Sequence, residues 1–197
     1  MPDTQAASSL PEWNLDDLYI ATDDPALEAD LVAADAGADA FRARYRGKLA
    51  AQDGRALGEA IKAYEAIEET LGRVMSYAQL LFAGNISDPE LGRFHQTIQE
   101  RITDISTKIL FFTLELNRID DKVLEKQSAN EEVRRYAPWL RDVRQFRPYQ
   151  LSDDLETLLH EKSVAGRASW VRLFEETIAD MRFEVAGDGG GRLSLAD

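Results

Sequence analysis

Apolar side chains return every three or four residues along most of this chain, the period of one face of an α-helix. Leu27, Leu31, Ala34, Ala38, Phe41 and Tyr45 step by 4, 3, 4, 3 and 4. Asp23-Asp24-Pro25 precedes them, a capping carboxylate and then a proline in the first turn, where no N–H is needed. Gly47 follows as a stop signal. Asp53 opens a second stripe, Leu57, Ile61, Tyr64, Ile67, Leu71, Val74, Ala78 and Leu81, which holds for about seven turns until Gly84-Asn85. Ser87-Asp88-Pro89-Glu90 then reads as a capping box, with the Ser87 hydroxyl as the cap. The third stripe is Leu91, Phe94, Ile98, Ile102, Ile105, Ile109, Phe112 and Leu116. So short a link between two long helices predicts an antiparallel hairpin. Residues 109–116 (ILFFTLEL) are apolar on more than one side, so this segment is expected to be covered on several faces.

Beyond residue 119 the pattern shortens. Asp120 is a candidate cap for a short helix. Ser128 and Glu131 suggest a second capping box, opening a helix through Tyr136, Trp139, Leu140 and Val143 that Pro138 should kink. After a loop at 146–152, Ser152 or Asp153 caps a helix carrying Leu155, Leu158 and Leu159. Trp170, Val171, Phe174 and Ile178 mark the last helix. Arg182–Val185, a glycine-rich run at Gly187–Gly191 and Arg192–Leu195 read as a β-hairpin. At the other end, residues 1–12 are small and polar and predict disorder. Trp13, Leu15, Leu18 and Tyr19 form an apolar cluster that should dock on the helices. The expected fold class is all-α, mostly antiparallel long helices, with a small C-terminal β-hairpin: a disordered 1–12, a helical lobe over 13–181 and the hairpin at 182–197.

Composition narrows the functions open to such a fold. With no cysteine, disulfides and thiolate metal sites are excluded. No apolar run reaches the length of a membrane span. The first residues have neither the basic nor the apolar part of a signal peptide, which points to the cytoplasm. A net charge of −13 disfavours nucleic acid as a partner. The first 53 residues carry eleven acids against four bases. That face either attracts cationic partners or simply keeps the protein soluble.

Catalytic chemistry is sparse. His160-Glu161 begins like His-Glu-x-x-His, which sets two imidazoles one helical turn apart on zinc. Val164 stands where the second imidazole must be, so the motif is incomplete. His95, one residue past Phe94, reads as a helix-surface histidine. No Gly-x-Ser-x-Gly elbow is present, and Gly187–Gly191 lacks the Lys-Ser/Thr of a phosphate loop. Glu68-Glu69, Glu131-Glu132 and Glu175-Glu176 are adjacent pairs that diverge around a helix and read as solvated faces. Arg134, Arg135, Arg141, Arg144 and Arg147 could hold a carboxylate or phosphate, or pair locally, as Glu131 with Arg135. No catalytic, cofactor-binding or metal-binding residue is expected in this chain.

Trp13-x-Leu15-x-x-Leu18-Tyr19, Phe41-x-x-x-Tyr45-x-Gly47-Lys48-Leu49, Phe111-Phe112-x-Leu114-Glu115-Leu116 and, most specifically, Arg147-Pro148-Tyr149-x-Leu151-Ser152 continuing to Val185 carry a resemblance. They resemble the N-terminal part of the oligoendopeptidase F family, zinc metallopeptidases related to thimet oligopeptidase. The resemblance implies a non-catalytic helical lobe forming one wall of a channel that admits short peptides. The family's zinc ligands belong to a later catalytic domain, so it also implies a parent enzyme with zinc, a truncated piece lacking that domain, and no metal bound here. The expected partners are the missing catalytic domain and short peptide substrates, with no nucleic acid and no membrane. The alternative is a self-standing acidic helical interaction module. An adaptor should expose only a modest apolar patch, whereas a lobe made to be covered should expose a larger one.

Overall fold

The computed structural model describes residues 14–184 and 192–193. Three long helices form its centre: α1 (Pro25–Tyr45), α2 (Gly54–Gly84) and α3 (Pro89–Ile109). The Asp24 carboxylate accepts the Ala26 N–H at 2.8 Å, and the Asp53 carboxylate that of Ala56 at 2.8 Å. Leu27, Leu31, Ala34, Ala38, Phe41 and Tyr45 are all buried, as their spacing predicts. Gly47 follows α1 at φ +75°, the left-handed region where a side chain would be strained. Cross-links fix the helix directions. Arg73 meets Asp30 at one end of α1 and Arg44 meets Glu59 at the other, so α1 and α2 are antiparallel. Along α2 and α3, Tyr77 meets Phe94 and Phe82 meets His95.

The second stripe includes two residues that the 3–4 spacing passed over. Tyr77 and Phe82 are fully enclosed, while Tyr64 and Leu81 are half-buried. Wedged between α1 and α3, α2 needs a wider apolar face than a single stripe provides. The cap of α3 is Asp88 rather than Ser87: its Oδ1 accepts from Glu90 N–H at 2.8 Å and from Leu91 N–H at 3.4 Å. Pro89 fixes the first helical position, so the capping position falls on the aspartate. The third stripe divides at Leu110 into α3 and α4 (Phe111–Arg118). Within α4, Phe111, Phe112, Leu114 and Leu116 are buried on several sides, as the apolar run predicts.

The next elements wrap this centre. Asp120 caps α5 (Asp121–Ser128) through Lys122 N–H. The next cap is Asn130, which accepts from Glu132 N–H at 3.0 Å, because Ser128 is still inside α5. Pro138 does not kink one helix; α6 (Glu131–Arg135) and α7 (Ala137–Arg144) are separate, and Pro138 lies in the first turn of α7. There its missing N–H leaves no intrahelical bond unmade. Gln127 is buried and donates to the carbonyls of Leu49 and Gln52 at 3.0 and 2.8 Å, tying α5 to the turn between α1 and α2. At the N-terminal side, Leu15, Leu18 and Tyr19 dock on the core; Trp13 lies outside the described residues. The Tyr19 hydroxyl donates to Asp30 at 2.6 Å, and burial beside that carboxylate pushes its pKa up to about 12.

The last elements are α8 (Asp153–Lys162), a broken π-type turn at Val164–Ala168 and α9 (Ser169–Asp180). Two-residue strands β1 (Phe183–Glu184) and β2 (Arg192–Leu193) pair antiparallel, Phe183 with Leu193 and Glu184 with Arg192. The hairpin is therefore present, and its glycine run lies outside the described residues. Among the described residues no helix is long and apolar enough to cross a membrane.

Candidate functional site

The apolar residues of α8 and α9 do not face the core. No residue of either helix is buried. Twelve of the fifteen large apolar side chains exposed among the described residues fall between Phe146 and Phe183, and Tyr149 and Trp170 are 78% and 72% exposed. The attachments are polar instead. Asp153 pairs with Arg118, the His160 Nε2 lies 2.7 Å from Ser106 Oγ, and Arg172 donates to Gln96. On α9, Arg172 and Glu176 are one turn apart and pair at 3.1 Å. Trp170, Leu173 and Phe174, at steps of 3 and 1, form the opposite apolar face, open to solvent. An apolar face of this kind marks an interaction surface.

Beside this arm lies a cleft of about 580 Å³ between α4, α7 and the Phe146–Gln150 segment. Its walls are Leu110, Leu114, Trp139 and Val143, with Phe146 and Tyr149 at the side of the arm. Asn117 of α4 lines it; the residue is only 5% exposed, and its Oδ1 has no hydrogen-bond donor among the described residues. Gln150 also lines the cleft. Its Nε2 donates to Leu114 O at 3.1 Å, and its buried Oε1 is likewise unpartnered. Asp142 and Glu156 supply carboxylates, and no basic residue is among the lining side chains. The expected apolar stripe ended on Leu116, and neither Asn117 nor Gln150 belonged to a motif. An asparagine directly after so apolar a run was the available signal, since a polar side chain there is buried with its neighbours.

The arginine cluster holds the fold together. Arg144 is nearly buried and donates to the carbonyls of Leu116 and Ile119 at 2.6 and 3.0 Å, satisfying the open end of α4. It also pairs with Asp121, which Arg147 reaches at 2.9 Å. Those guanidinium groups hold the Asp121 carboxyl below its ordinary range. Arg141 pairs with Asp142, and no Glu131–Arg135 ion pair is present among the described residues, although both lie in α6. The acidic pairs Glu68-Glu69 and Glu131-Glu132 are exposed, as read, while Glu175 and Glu176 are half-buried; desolvation raises the pKa of Glu68, and its hydrogen bond with Tyr64 opposes that rise.

His95 is buried rather than on the surface. It stacks on Phe82 at 5.1 Å and its Nε2 lies 2.8 Å from Gln79 Oε1. Both partners belong to α2, so His95 lies in the packing between α2 and α3. Burial lowers its pKa, with Arg172 adding to the effect and Glu175 opposing it; burial also lowers that of His160. A histidine lowered on folding binds protons more readily in the unfolded chain. Its contribution is therefore intact above the ordinary histidine value of about 6.5 and is lost as pH falls below it. Urea unfolding should show a midpoint that declines from pH 7.5 to pH 5, with a shallower decline in His95→Gln. Equal slopes for the two proteins would exclude His95 as a cause.

The two histidines do not fit a zinc site. One is held by Gln79 and Phe82 and the other by Ser106, and Val164 follows His160 by one turn. Among the described residues, no group of three or more potential ligands is placed to hold a metal.

This geometry defines a class: a helical lobe with a buried three-helix centre and an apolar arm left uncovered. The family model described as Oligopeptidase F matches residues 115–183, from α4 to β1. Oligopeptidase PepF of Bacillus subtilis is 27% identical over 180 residues, covering 86% of this chain and 25% of that protein. The crystal structure of oligoendopeptidase-F from Enterococcus faecium matches with a TM-score of 0.66 at 17% identity, over 86% of this chain and 31% of the other. Together these matches show that the chain is similar to part of the oligoendopeptidase F proteins. The chain spans about a quarter of the length of the curated relative.

Proposed function

We propose that this chain is the non-catalytic N-terminal lobe of a longer, zinc-dependent oligoendopeptidase that hydrolyses short peptides, and that it forms one wall of the peptide channel. The observation that carries the reading is the uncovered apolar arm, which lies inside the segment matched by the family model. An arm docked through its polar face leaves aromatic side chains for a second surface to cover. A self-standing acidic adaptor accounts poorly for so concentrated a patch. In this reading the lobe spans 13–181, the hairpin at 182–197 leads to the catalytic domain, and the protein is cytoplasmic.

The lobe's role is geometric. Walls that hold a peptide in register lower the barrier through positioning, worth up to several kcal/mol without touching the reacting bond. The 197-residue chain should leave a quenched fluorescent peptide of about ten residues, too short to fold, intact. The longer protein should cleave it and lose that activity to phenanthroline. A longer reading frame without His-Glu-x-x-His, or a longer protein inert towards short peptides with zinc present, would replace this reading with the adaptor.

A further inference from the structure

We propose that the cleft between α4, α7 and the Phe146–Gln150 segment is a binding subsite for a guanidinium side chain, an arginine of a bound peptide. The inference rests on the peptide-wall reading for the source of the ligand, and on the cleft alone for its chemistry.

Three features of the cleft select this group. Two residues that line the cleft, Asn117 and Gln150, each carry a buried side-chain carbonyl oxygen, Oδ1 and Oε1, with no donor among the described residues. Leaving such acceptors unmade costs free energy, so a ligand carrying N–H groups binds where one without them does not. Second, the charged groups among the lining residues are Asp142 and Glu156, both acidic, so a cation is favoured. Asp142 is shared with Arg141 at 2.9 Å and Glu156 accepts the Leu151 N–H at 2.8 Å, so both act as rim charges. Third, the wall is aromatic and aliphatic, with Trp139 and Tyr149 beside leucine and valine. A guanidinium is planar, weakly hydrated and rich in donors, and it stacks on aromatic faces while its methylene stem packs on apolar surface. An ammonium group is more strongly hydrated and lacks the planar fork, and a neutral apolar side chain leaves both acceptors unmet.

The test uses this chain with three small probes, N-acetyl-arginine amide, N-acetyl-lysine amide and N-acetyl-norleucine amide, titrated by two-dimensional NMR. The arginine probe should bind with shifts at Asn117, Trp139 and Gln150, at least about fivefold more tightly than the lysine probe, and the norleucine probe should bind least. Asn117→Leu should weaken the arginine probe by about tenfold, the effect of losing one hydrogen bond to a charged group. Gln150→Met, at a half-buried position, should weaken it similarly and serves where Asn117→Leu does not fold. Asp142→Asn should weaken it by about threefold at low salt. Equal binding of all three probes, shifts outside the cleft, or undiminished binding in folded Asn117→Leu and Gln150→Met would overturn the assignment. Because the readout is binding to this lobe, its failure leaves the peptidase reading standing. An inert longer protein with intact arginine binding would have the opposite meaning.

Discussion

Phe112→Ala should lower the free energy of unfolding by about 3–5 kcal/mol, the range for deleting a large buried aromatic. Phe112 is fully enclosed at the point where the three-helix centre meets the wrapping helices. Its ring stacks on Tyr64 at 4.8 Å, meets Phe41 edge-on at 5.1 Å and lies 6.4 Å from Trp139. One side chain thus joins α1, α2, α4 and α7, and its removal leaves a cavity that those four helices cannot all close. Phe112→Leu fills most of the volume and should cost about 1–2 kcal/mol. Urea unfolding followed by circular dichroism measures both. Equal losses in the two variants would mean that ring volume at this junction is not what matters.

Replacing Leu159, Trp170 and Phe174 together by aspartate should convert self-association of this chain into a monomer. All three side chains are exposed and hold no part of the core, so helix content should be retained. A large aromatic brings about 150–250 Å² to an interface, at about 25 cal/mol per Å². Much of that gain is offset by the cost of association. What is left still places the dissociation constant of the triple variant on the order of a hundredfold or more above that of the unmodified chain. Sedimentation velocity across a dilution series reads this directly. An unmodified chain that is monomeric at every concentration would remove the argument that the arm is built to be covered. In the longer protein the same substitutions should loosen the two lobes and make the junction near β1 more susceptible to limited proteolysis.

Local signals located the helices well where one residue type had a single physical use. Asp24 and Asp53 cap, Gly47 takes the left-handed conformation, and the 3–4 spacing from Leu27 to Tyr45 marks a face that is buried throughout. They failed where two neighbours could do the same work. Ser87 or Asp88, and Ser128 or Asn130, could each cap the next helix, and the choice followed from the register set by Pro89 and by the length of α5. Pro138 could kink or divide a helix, and division leaves no backbone group unmet. The candidate cleft was not legible. Asn117 and Gln150 lie 33 positions apart and belong to no motif; they meet because Gln150 reaches back to Leu114.

By itself the sequence determined the all-α class, the three central helices, the buried segment at 109–116 and the family resemblance, because periodicity, caps and motif spacing are local properties of the chain. Only the tertiary structure decided which face of α8 and α9 is turned inward. Their apolar spacing is the same whether that face meets the core or solvent. The outcome depends on partners distant in sequence: Arg118 and Ser106 receive α8, and Gln96 receives α9, all through polar contacts. With the polar face committed there, the aromatic face points outward.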